Sequence, residues 1–215
     1  MNAAEERFLR DGLEATFFTV TYVEIVPPSA AQGATLLREY RDASRKDDGA
    51  ARFEVMHRFE RPNQFAVLAA WENQNAFEAH IGAPHLMQLN QGLAPMLAAP
   101  NDTRQHNGLA IDDARGPRGA GITAVTHVDV IPQHKDDGAD ALKQLAEDSR
   151  KRGGNLRFDV WQQTNRPNHF TVVETWTSRR RFDSHVMAAQ ARDFRARLAS
   201  MTGALYDERL YKSLN

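Results

Sequence analysis

Two histidines occupy matching settings in this chain. His80 stands three residues after Phe77, behind Trp71; His185 stands three residues after Phe182, behind Trp176. On a helix a spacing of three puts the imidazole and the phenyl ring on one face. A neutral imidazole titrates near physiological pH, so it suits removal of a proton from a phenol or an activated C–H group. The tryptophan offers a flat wall for an aromatic ring and an indole N–H for an oxygen atom. Each of these residues also has a plain reading, as a core side chain.

Other residues add to one copy only. Glu174 shares a strand face with Trp176 between valines, where an unpaired carboxylate is costly to bury; it either faces a pocket or pairs with a group such as Arg157. His85 follows Pro84 and has Gln190 as its counterpart. Phe53 and Phe158 lie on the strand faces expected to turn inward, and Tyr22 is matched by His127. The candidate catalytic set is His80, His185, Trp71, Trp176 and Glu174; the candidate substrate-binding set is Phe53, Phe158, His85, Tyr22 and His127. No His-x-His or His-x3-His spacing occurs, and His80 and His85, five apart, do not align on a continuous helix, so no metal site is expected. A Gly-rich phosphate loop and a Gly-x-Ser-x-Gly elbow are both missing.

The correspondence between the two histidines extends along the chain. Residues 19–104 align with 124–209 at a constant offset of 105. Ser44-Arg45-Lys46, Gly49, Arg52-Phe53 and Arg61-Pro62-Asn63 recur as Ser149-Arg150-Lys151, Gly154, Arg157-Phe158 and Arg166-Pro167-Asn168. Repeats of this length are domains rather than solenoid units. In the first copy, residues 17–26 are β-branched and aromatic and stop at Pro27-Pro28, which predicts a strand. Ala34, Leu37, Tyr40 and Ser44 then follow helical spacing over 30–46, closed by Asp47-Asp48-Gly49 with Gly49 as a left-handed cap. Strands over 52–60 and 64–72 flank a turn at Arg61-Pro62-Asn63. A helical pattern over 75–97 should break at Pro84 and Pro95, and a last strand covers 103–111.

The order β-α-β-β-α-β is the ferredoxin-like split βαβ arrangement, an α+β fold. It is read again over 122–212. Domains are expected at 17–111 and 122–215, joined by a Gly/Pro-rich linker at 112–121 and preceded by an extension at 1–16. A sheet with helices on one face must bury its other face, so the two repeats are expected to pack sheet to sheet as a fused pseudo-dimeric α+β barrel.

The hydrophobic share is 41%, the charged share 26% and the formal net charge −1, ordinary for a globular protein and without a footprint for nucleic acid or an anionic membrane. No apolar run approaches the length of a membrane span. Cysteine is absent, which removes disulfides, thiolate metal sites and a Cys nucleophile. A cytoplasmic location is expected, with no nucleic-acid or membrane partner.

The β-α-β-β-α-β order, the strand-ending Trp71 and Trp176, and the segments after them resemble the antibiotic biosynthesis monooxygenase family, whose members form dimeric α+β barrels. Members often read Glu-x-Trp at the end of the third strand, then Ala-His-x4-His. Here the pattern is divided: Ala79-His80 and His85 follow Trp71 in the first copy, while Glu174-Thr175-Trp176 stands in the second. The resemblance implies oxygenation of an electron-rich aromatic substrate (an anthrone, quinol or polyketide-like ring) by O₂ without cofactor. It also implies a possible homodimer of the fused pair. A haem-degrading branch is the alternative, with haem as cofactor. Its Asn position falls on Val23 and Val128, its Trp on His80 and His185, and its His near Asn90 and Arg195, so that set is missing. A third alternative is a non-catalytic duplicated binding module. The second copy, with Glu174, Trp176, His185 and His127, is expected to be the more active.

Overall fold

The computed structural model describes residues 16–112 and 121–214. The extension expected at 1–16 lies outside these residues except for Thr16, and so does most of the linker expected at 112–121. The chain forms two compact units: one runs to Gln105 and includes Leu214, the other covers His106–Ser213. The division falls inside a strand rather than in the linker.

The first unit contains β1 (Phe17–Glu24), α1 (Ala30–Ser44), β2 (Ala50–Arg58), β3 (Arg61–Trp71), α2 (Gln74–Ile81) and α3 (Pro84–Leu93), and then enters β4 (Asp102–Ala110). β3 is central, antiparallel to both β1 and β2. The second unit repeats the order with β5 (Ile122–Asp129), α4 (Lys135–Arg150), β6 (Asn155–Gln163), β7 (His169–Trp176), α5 (Arg179–Val186), α6 (Ala189–Leu198) and β8 (Asp207–Ser213). β7 lies between β5 and β6, β8 adds to the far edge of β5, and residues 106–110 of β4 pair with β6. These are two ferredoxin-like α+β repeats, as the sequence predicts.

Alternation sets the faces. On β3, Phe65, Val67, Ala69 and Trp71 pack with Leu37, Tyr40 and Phe77 from the helices in one core. On β7, Phe170 and Val172 meet Leu142, Leu145 and Phe194 in the other. The repeated Ser-Arg pair ties each first helix to its neighbouring strand. Ser44 Oγ donates to the Tyr40 carbonyl (2.7 Å) and Arg45 Nε to the Phe53 carbonyl (3.0 Å). Ser149 and Arg150 do the same to the Leu145 and Phe158 carbonyls (2.6 and 3.1 Å). The arginine therefore holds a strand carbonyl, a role beyond offsetting the helix dipole.

The pattern over 75–97 breaks at its prolines as expected, into two helices and a 3₁₀ turn (Ala94–Met96), because Pro84 opens α3 and cannot continue α2. Two local expectations are corrected. Arg61-Pro62-Asn63 is a turn only in its second copy, where residues 164–168 connect the strands. In the first copy the turn is Phe59-Glu60, with Glu60 at φ 64°. Pro62 is then tolerated inside β3 because β1 pairing begins only at Gln64. Gly49 does take a left-handed φ of 76°, but in the turn into β2 rather than as the helix cap. A Cβ there would lie 2.5 Å from the Ala76 Cβ, so this turn accepts only glycine without displacement.

Candidate active site

Trp71 ends β3 with its ring buried and its indole Nε1 without a hydrogen-bond partner among the described residues. Two residues on, the Asn73 side chain caps α2 by accepting from the Ala76 N–H (3.0 Å). The cap fixes the helix so that Phe77 and His80 both face the sheet and are buried. The His80 ring lies 4.7 Å from the Trp71 ring, centroid to centroid.

Both nitrogens of His80 are engaged. Nδ1 is 2.6 Å from Asp47 Oδ2, and Nε2 is 2.7 Å from the Tyr40 hydroxyl. A carboxylate only accepts, so Nδ1 carries the proton and Nε2 accepts from Tyr40. Burial lowers the His80 pKa, against the hydrogen bond and charge of Asp47, which raise it. Burial also pushes the Tyr40 hydroxyl well above its usual range. His85 approaches from α3, its Nε2 3.0 Å from the same Asp47 oxygen and 3.4 Å from His80 Nδ1. Five residues apart, His80 and His85 would not align on a continuous helix; the break before Pro84 turns the second back onto the first.

Tyr40 and His80 border a cavity of about 370 Å³; Asp47 and His85 are not among its lining residues, so His85, expected to bind substrate, instead stands beside Asp47. The cavity walls are Val67, Ala69 and Trp71 from β3, Phe53 from β2, and Phe77, Leu86 and Leu89 from the helices. Thr19, Thr21, Asn90, Asn101, Thr103 and Gln105 supply its polar rim. The volume and mostly apolar lining match a small-molecule site. Phe53 is thus where it was expected. Tyr22 is not: it lies on the opposite face of β1 from Thr21 and Val23, with the Arg104 guanidinium 5.6 Å from its ring.

The second repeat keeps the scaffold and changes the chemistry. The Ser178 hydroxyl caps α5 as Asn73 caps α2. His185 stacks on Trp176 at 4.6 Å, and Phe158 meets it edge-on at 5.9 Å. Here, however, the indole N–H is engaged, donating to Glu174 Oε2 at 2.6 Å. That same oxygen lies 3.4 Å from His185 Nε2. Glu174 therefore faces the helices, not Arg157, which pairs with Asp159 at 2.6 Å. Burial raises Glu174 to about 8. Burial lowers His185 to about 4, helped by the charges of Arg152 and Arg195. Arg152 stands at the position of Asp47, so the charge beside the histidine is reversed. Leu145 replaces Tyr40, and Glu174, Phe194, Arg195, Tyr206 and Glu208 replace Ala69, Leu89, Asn90, Asn101 and Thr103. Larger and more ionisable groups thus stand where the first repeat leaves its cavity. His127 lies on the other sheet face, its Nδ1 3.1 Å from Thr171 Oγ1, which also meets His106 Nε2 at 2.9 Å.

Sequence reading missed Tyr40 and Asp47. A signal was present: Tyr40, Asp47 and His85, the three partners of His80, are all replaced together in the second copy, by Leu145, Arg152 and Gln190.

A tandem ferredoxin-like α+β protein with an aromatic, histidine-bearing cavity is the class that fold and site define. The chain belongs to the antibiotic biosynthesis monooxygenase family, whose model matches residues 16–91 and again 121–197. Among solved structures, a "putative monooxygenase" from Fusobacterium nucleatum superposes with a TM-score of 0.81 at 13% identity, covering 94% of this chain and 93% of that one. A "putative monooxygenase" from Lactobacillus acidophilus gives 0.76 at 13% identity, covering 94% and 95%. An anthrone oxidase-like protein gives 0.71 at 12% identity, covering 94% and 92%. At these identities the likeness is one of fold. No curated protein sequence matches significantly. No helix among the described residues is long and apolar enough to cross a membrane.

Proposed function

We propose that the chain is a cofactor-independent monooxygenase of electron-rich aromatic substrates, anthrone- or quinol-like, and that the first repeat carries the working site. The observation that carries this reading is the Tyr40–His80–Asp47 chain, whose Tyr40 and His80 line an apolar cavity. It reverses the preference for the second copy. There a protonated Glu174 and a cation-flanked His185 make a poor base.

In this reading a flat substrate lies against Trp71 with its acidic O–H or activated C–H near the Tyr40 oxygen. The substrate proton passes to Tyr40 as the Tyr40 proton passes to His80 Nε2, and the imidazolium formed is held by Asp47. Burial keeps His80 neutral and ready to accept. The substrate anion transfers one electron to O₂, and the two radicals join as a C–O bond, giving a peroxide that takes up one proton. Loss of water from a CH–OOH group leaves C=O, so one oxygen atom enters the product, the other leaves as water, and no external reductant is consumed. Asp47 and His85, with side chains 21% and 18% exposed against 3% for His80, give the proton a way to solvent.

The test is oxygen uptake by the purified full chain over a panel of anthrones, quinols and naphthols, with Tyr40→Phe and His80→Ala alongside. Turnover that both variants reduce supports the reading; absence of turnover across the panel overturns it.

A further inference from the structure

The groups gathered on the Nδ1 side of His80 have a second property that the proton pathway does not use. We propose that Asp47, His80 and His85 form a binding site for one divalent transition-metal ion of the zinc class. The side chains come from three segments, the turn after α1, the end of α2 and the start of α3, and bring three donor atoms into one small triangle. Asp47 Oδ2 and His80 Nδ1 are 2.6 Å apart, Asp47 Oδ2 and His85 Nε2 3.0 Å, and the two nitrogens 3.4 Å. An ion bound at roughly 2.0–2.1 Å sets neighbouring donor atoms roughly 3–3.4 Å apart. Two edges of the triangle already meet this, and the third needs only a slight opening once a cation replaces the shared proton.

The donor set fits the same class of ion. Two imidazole nitrogens and one carboxylate favour Zn²⁺, Co²⁺, Ni²⁺ or Cu²⁺ over Mg²⁺ or Ca²⁺, which prefer oxygen. The Tyr40 hydroxyl, 2.7 Å from His80 Nε2, completes the outer shell. With the metal on Nδ1 the proton moves to Nε2 and is donated to the Tyr40 oxygen, which fixes the ring. The partial exposure of Asp47 and His85 leaves room for water as a further ligand. The ring keeps that proton, so binding releases one only from an imidazole that is charged, and affinity falls on acidification. The second repeat is an internal control. Arg152, His185 and Gln190 put a cation and an amide where the first repeat has an anion and an imidazole.

Occupancy would take Asp47 and Nδ1 away from the proton pathway and hold Nε2 protonated. The ion is thus an inhibitor of the activity proposed above. That consequence rests on the proposed function; the site itself does not, and its test needs no turnover.

The experiment is titration of the chelator-treated full chain with ZnCl₂ by calorimetry and with CoCl₂ by visible absorption. One ion per chain is expected, with a cobalt d–d band. Affinity should fall at least tenfold in His85→Gln and in Asp47→Asn, and stay unchanged in His185→Gln. His85 is partly exposed, so its variant should keep the parent fold, checked by circular dichroism. Absence of saturable binding, or one-to-one binding of undiminished affinity in both His85→Gln and Asp47→Asn, would overturn the site.

Discussion

The Tyr40 hydroxyl lies 2.7 Å from His80 Nε2, and no equivalent bond can exist in the second repeat because Leu145 stands in place of Tyr40. Together with the changes at Asp47, His85 and Ala69, that difference separates two sites built on one scaffold. His80 sits at the centre of a hydrogen-bonded chain from the cavity to Asp47; His185 is stacked on Trp176 beside a buried carboxyl.

Tyr40→Phe should remove the group that meets the substrate proton and leave the ring in place. We expect kcat to fall roughly 100-fold, a typical general-base contribution, with KM little changed. Loss of one buried hydrogen bond should cost about 1 kcal/mol in stability, so the variant remains folded. Steady-state oxygen uptake and a denaturant melt check the two halves.

Asp47→Asn should move the titration of His80 down, because burial already lowers that pKa and Asp47 is what opposes the fall. A group whose folded pKa lies below its unfolded value contributes stability above the unfolded pKa and loses it on acidification. The variant should therefore show a lower His80 midpoint by NMR and a steeper loss of stability below about pH 6.5, the unperturbed histidine value. An unchanged midpoint would mean that the ion pair is not formed.

Ala69→Glu should import into the first repeat the residue found at the matching position of the second. The new carboxylate would reach the Trp71 indole N–H as Glu174 reaches that of Trp176, and it would fill part of the cavity. Binding of an aromatic probe, followed by quenching of tryptophan fluorescence, should weaken at least tenfold. His185→Ala should leave that binding unchanged.

Glu174→Gln should stabilise the protein at alkaline pH. Burial raises the Glu174 pKa from 4.5 to about 8, so the folded state binds the proton more tightly than the unfolded state does. Its favourable contribution is complete below about pH 4.5 and is lost as pH rises through 8. Glutamine keeps an acceptor for the Trp176 N–H without a charge. The gain over the parent should be near zero at pH 4.5 and on the order of 2–4 kcal/mol at pH 9, read from urea melts at both values.

Much of the fold is legible in the sequence because its signals are local. Alternation on residues 65–71, helical spacing from Ala34 to Ser44, and prolines at 27, 84 and 132 mark the elements within a few residues of their observed ends. The hairpin turn of the first copy is not legible, because the left-handed Glu60 carries no glycine signal. The chemistry of Tyr22 and His127 points to pockets, but strand parity puts them on the other sheet face.

By itself the sequence determined the duplication, the β-α-β-β-α-β order, and the common face of Phe77, His80 and Trp71, since each follows from period and offset along the chain. Tertiary structure alone decided which atoms meet. Asp47, Tyr40 and His85 lie on three different elements, and their approach to His80 depends on a glycine turn and a helix break. Neither feature makes the residues neighbours in sequence. The same packing left a cavity beside His80 and placed Glu174 beside His185, because the residue two positions before each tryptophan is alanine in one repeat and glutamate in the other.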